Sequence, residues 1–99
     1  MPIAGPLHLF DPISLDRVPD EAGVFALYES DELIFYGHAL ESLRDQLETC
    51  LVDPSCRCMR RAILFNVEVC DYPAQRELEL IREHQVKLGK LPRCNELIA

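Results

Sequence analysis

Apolar and polar positions alternate in blocks that change period along the chain. Gly23 to Tyr28 is a short apolar and aromatic run bounded by turn-forming residues, and it reads as a strand. Ser30-Asp31-Glu32 reads as the turn after it. Leu33 to Tyr36 reads as a second strand, ended by Gly37, and the close spacing favours an antiparallel hairpin. Leu40, Leu43, Leu47 and Leu51 then recur every three or four residues, which predicts a helix over 39–51. Asp53-Pro54-Ser55 breaks it. Over 62–70 the pattern returns to period two. Ile63, Phe65, Val67 and Val69 alternate with Leu64, Asn66 and Glu68, which predicts a third strand. A second helix is expected up to about Leu88, with Asp71 as its cap, Pro73 in its first turn and Gly89 at its C-terminal cap. Its expected buried face is Ala74, Leu78, Ile81 and Leu88. Leu91 to Asn95 reads as a closing segment.

Prolines at 2, 6, 12 and 19 interrupt regular structure at the start of the chain. Leu7, Leu9, Phe10, Ile13 and Leu15 still offer apolar anchors, so residues 1–17 read as an ordered arm and 18–96 as the domain. The order strand, strand, helix, strand, helix predicts an α+β layer, a three-stranded antiparallel sheet with helices packed on it. No internal repeat or low-complexity tract is present.

Ninety-nine residues, nearly half of them hydrophobic, suffice for one packed core. No apolar run approaches the roughly 20 residues that cross a bilayer, so no membrane partner is expected. The start of the chain lacks a basic stretch followed by a long apolar one, so it does not read as a signal peptide, and a cytoplasmic location is the expectation. The net charge of −7 changes the picture further. Residues 1–56 carry a balance of −9, whereas residues 57–99 carry +2. A nucleic-acid binder normally presents a basic footprint. Here only Arg57, Arg60 and Arg61 could nucleate one, and a solvated charged face is the simpler reading of them. Five cysteines, an odd number, argue against a disulfide framework. Cys50, Cys56 and Cys58 are close in sequence, but no second half-site completes a zinc pattern. Small buried or half-buried thiols are the expectation.

The hairpin carries Gly23-Val24-Phe25 and, about ten residues on, Phe35-Tyr36-Gly37; His38 follows, and the chain closes with Pro92-Arg93-Cys94-Asn95. In order and spacing these segments resemble the motifs of the GIY-YIG nuclease superfamily over residues 18–96. The nearest likeness is to short stand-alone bacterial or archaeal members, which often carry a cysteine before the third strand and end in a Leu-Pro-x-Cys-Asn segment. The resemblance implies the family fold. It also implies a chemistry of one-metal hydrolysis of a DNA phosphodiester: hairpin tyrosines, one activating water, an arginine on the first helix, a metal-holding glutamate on the later helix and a closing asparagine.

Carried over position by position, the resemblance places the tyrosines on Phe25 and Phe35, which lack a hydroxyl. The arginine falls on Gln46, which cannot make a charged bidentate contact. The glutamate falls on Glu83, with Glu77 as the alternative, and the asparagine is kept as Asn95. His38 takes the position of a basic residue, where it could contact phosphate or act as a general base. The expected function is therefore a catalytically degenerate binding or regulatory module. One alternative is a metal-dependent DNA endonuclease rearranged around His38, Glu83 and Arg44 or an arginine of the 57–61 cluster. Another is a plain protein-interaction domain, such as a homodimer. No cofactor is expected, with magnesium or manganese required only if the domain cuts. The binding partner is left open.

Overall fold

Strand β2 (Gly23–Glu29) forms because its residues are apolar on both faces, and it lies inside the sheet. The computed structural model describes residues 2–98, leaving aside the side chains of Pro54, Leu97 and Ile98. A short strand β1 (His8–Leu9) and one helical turn α1 (Pro12–Leu15) precede β2. After it come β3 (Glu32–Ala39), helix α2 (Leu43–Val52), two 3-10 turns over 54–61, strand β4 (Leu64–Val69), helix α3 (Pro73–Leu88) and helix α4 (Arg93–Ile98). The sheet order is β1-β4-β2-β3, antiparallel throughout.

Each face of the sheet has its own core. On one face Phe25, Leu27, Phe35 and Phe65 pack with Leu15, Leu43, Leu47 and Cys50 from α1 and α2. On the other, Val24, Ala26 and Tyr36 pack with Leu80 of α3 and Ile3 of the N-terminal arm. Asn66 donates to the Ile3 carbonyl at 3.1 Å and ties the arm to that face.

The α+β architecture and the antiparallel hairpin agree with the sequence pattern, but five details differ. The sheet has four described strands rather than three. The arm adds His8 opposite Phe65 and Leu9 opposite Leu64 before Pro12 ends the pairing. Strand β3 runs on to Ala39, paired with Gly23, so α2 begins only at Leu43, where the Ser42 hydroxyl accepts from the Asp45 amide. Leu40 is consequently exposed and does not belong to the helix face. Asp71 is not the cap of α3; Tyr72 occupies that position without a side-chain bond, while Gly89 caps the other end in the left-handed region. The buried face of α3 runs through Pro73 and Leu80; of the expected face Ile81 packs partly buried beside Leu80, whereas Ala74, Leu78 and Leu88 are exposed. The closing segment begins a helix, α4. Among the described residues, no helix is long and apolar enough to cross a membrane.

Candidate functional site

The two motif segments lie side by side because Phe25 is directly opposite Gly37 in the hairpin. A Cβ on Gly37 would sit 2.4 Å from Cζ of Phe25 and 2.6 Å from Cε2 of Phe35, so the glycine leaves the volume in which these rings meet. The ring centroids are 5.9 Å apart, and both rings are buried on the α2 face. This pair offers packing and no proton acceptor.

Alternation along β3 turns the next polar side chain to the opposite face. His38 Nδ1 lies 3.1 Å from the Glu77 carboxylate of α3, with both side chains partly exposed. Glu77 therefore sits with His38, while Glu83 stands apart. Glu83 lines a cleft of about 880 Å³ between α3, β3 and α4, together with Tyr36, His84, Lys87 and Arg93. Gln46 and His38 border a shallow depression whose described lining includes Glu41 and Asp45 and no lysine or arginine.

Arg44 is not aimed at that depression. Its Nε donates to the Val18 carbonyl at 3.0 Å and fixes α2 to the loop after α1. Arg57, Arg60 and Arg61 are exposed. Arg61 lies 3.6 Å from Glu29, the last residue of β2, whereas His38 is opposite Val24 near its start. That separation is about 15–20 Å along the strand. The structure thus does not gather His38, Glu83 and the proposed arginines around one cleft.

Asn95 has a defined task. Its Oδ1 accepts from the Tyr36 amide at 2.9 Å, and its Nδ2 donates to the Tyr36 carbonyl at 3.0 Å. One side chain thereby completes both backbone groups on the outer edge of β3. The Tyr36 hydroxyl is held protonated: burial pushes its pKa up to about 12, Tyr28 adds to the shift, and the charge of Arg76 opposes it.

The thiol expectation is corrected in one respect. Cys58 and Cys94 form a disulfide across a sequence separation of 36, leaving Cys50, Cys56 and Cys70 free. Cys58 is thereby removed from any zinc set. Burial, followed by the neighbouring Cys56, raises the pKa of Cys50 to about 12. Counting cysteines missed the bridge; the usable signal was the pairing of a cysteine before the third strand with one in the closing segment. Among the described residues, no group of three or more His, Cys, Asp or Glu side chains is arranged to hold a metal.

Neither a family model nor a curated protein matches the chain. Solved structures do, among them two of the same domain. Both are of the GIY-YIG N-terminal endonuclease domain of UvrC from Thermotoga maritima, each a tyrosine-to-phenylalanine point mutant bound to its catalytic divalent cation. Each aligns with a TM-score of 0.60 over 83% of this chain and 90% of that domain, at 20% and 19% identity. The chain has a GIY-YIG-like fold.

Proposed function

We propose that this domain uses the GIY-YIG-like scaffold as a non-cleaving binding or regulatory module. The observation that carries the reading is the burial of Phe25 and Phe35 against Gly37, where the motif would place reactive phenols. Gln46 in place of the arginine, and the acidic rim of Glu41 and Asp45, support it further. In the Thermotoga maritima domain a phenylalanine in place of one tyrosine coexists with a bound cation, so the loss of one phenol does not decide metal binding. Here both phenols and the arginine are replaced. Removing one preorganised charge-stabilising group costs a factor of about 100–1000, and removing a positioned base costs a further factor of about 100–10,000. The acidic surface favours a protein partner over a nucleic acid, and we place the domain in the cytoplasm.

A second reading, a divalent-metal endonuclease built on the His38–Glu77 pair, is favoured by their 3.1 Å approach. The test incubates supercoiled and linear DNA with the protein in magnesium and in manganese, beside Glu77→Ala. We expect no metal-dependent nicking from either protein. Nicking by the wild type that Glu77→Ala abolishes would overturn the first reading in favour of the second. Where neither cuts, Phe35→Tyr combined with Gln46→Arg asks whether those two positions silence the scaffold.

A further inference from the structure

We propose that the Cys58–Cys94 bridge is a reversible redox latch that decides whether α4 holds the outer edge of β3. Three successive residues at the start of α4 fix it by three different bonds. Arg93 pairs with Glu29 and lies 3.8 Å from Glu32 on the hairpin. Cys94 is bonded to Cys58. Asn95 takes both backbone groups of Tyr36. A six-residue helix does not persist by itself, so α4 stays in place through these ties. Of the three, only the disulfide is made or broken by the thiol balance of the surroundings.

The two sulfurs are not equally reachable. Cys94 is buried at 1% exposure, whereas Cys58 is half-buried on the turn that also carries the exposed Arg57 and Arg60. These cations attract an anionic thiol such as glutathione to the Cys58 end of the bridge. The glutathione thiolate attacks Cys58 Sγ, the S–S bond breaks, and its electron pair leaves on Cys94 Sγ, which is then protonated. A second glutathione attacks the mixed disulfide, releasing the Cys58 thiol and oxidised glutathione. Two electrons and two protons thus pass to the protein, and oxidised glutathione drives the reverse reaction. On reduction α4 loses its covalent tie, Asn95 loosens from Tyr36, and the amide and carbonyl of β3 become an open sheet edge. This inference does not depend on whether the domain cleaves DNA.

The experiment combines thiol counting with hydrogen exchange on the full chain, held at fixed ratios of reduced to oxidised glutathione. Alkylation of the air-oxidised, denatured protein should label the three free thiols Cys50, Cys56 and Cys70, rising to all five after reduction. About 10 mM reduced glutathione should open the bridge. The Tyr36 amide should then exchange about tenfold faster. Arg57→Ser with Arg60→Ser should slow opening by glutathione at low salt but leave the rate with neutral 2-mercaptoethanol unchanged. Cys58→Ser should match the reduced wild type and ignore reductant; if it fails to fold, the reduced wild type carries the same test. Five labelled thiols in the oxidised protein, a bridge that resists glutathione, or Tyr36 exchange that is equal in both redox states would each overturn the latch.

Discussion

Asn95 acts as one residue's worth of strand, satisfying the Tyr36 amide and carbonyl on an edge that has no neighbouring strand at that point. Asn95→Leu leaves both groups buried and unpaired, and we expect a loss of about 2–4 kcal/mol by urea unfolding. Gly37→Ala drives a methyl into the rings of Phe25 and Phe35 and should cost about 1–3 kcal/mol. Adding Phe25→Leu should recover part of that loss, so the double variant falls short of the sum of the singles. Tyr36 predicts a specific alkaline weakness. Its pKa rises from an ordinary 10.0 to about 12 in the fold. Its phenol is protonated in both states below pH 10, and the unfolded chain gives up its proton first as pH rises from 10 to 12, so stability falls across that window. Urea midpoints measured through it should drop, and Tyr36→Phe should flatten part of the drop. That Phe25 and Phe35 carry no hydroxyl was legible at this scale, because residue identity alone decides it. The glutamate beside His38 was not, since sequence spacing alone leaves Glu77 and Glu83 both open; only the packing of α3 on β3 brings one carboxylate and not the other to the histidine.

The elements were legible wherever one period dominated: the hairpin, the central stretch of β4 and the existence of both long helices. The buried face of α3 was read correctly only at Ile81, for a physical reason. The side of the helix against the sheet carries Arg76 and Glu77, which pair with Glu68 at 2.7 Å and His38 at 3.1 Å, so partnered charges occupy positions where apolar residues were sought. The leucines that suggested a face, Leu78 and Leu88, point largely to solvent. Paired substitutions check this directly. Leu80→Ala should cost about 2–5 kcal/mol, while Leu88→Ala should stay within about 0.5 kcal/mol of wild type. The cap at Ser42 was missed because Leu40, three residues before Leu43, extended the apparent helix face back across the strand end.

Across the whole molecule, the disulfide joins the turn before β4 to the last helix over 36 residues, a constraint no local pattern encodes. Its reduction should lower unfolding stability by about 2–4 kcal/mol, measured by urea titration with and without reductant. The strand within the arm was equally hard to see, because its two paired residues lie between prolines and gain their partners from β4, far along the chain. The sheet itself divides the molecule into two cores, and β2 crosses both with no polar side. Register in most strands is protected by the cost of turning polar residues inward; Val24, Phe25, Ala26 and Leu27 are all buried, so that protection is missing here. What distinguishes the faces is size, with Phe25 and Leu27 toward α2 and Val24 and Ala26 toward α3. Exchanging neighbours, as in Val24→Phe with Phe25→Val, keeps composition and hydropathy unchanged while crowding one core and hollowing the other. A chain altered in this way should fail to give a cooperative unfolding transition, because the order of volumes along one strand tells the sheet which way up it lies.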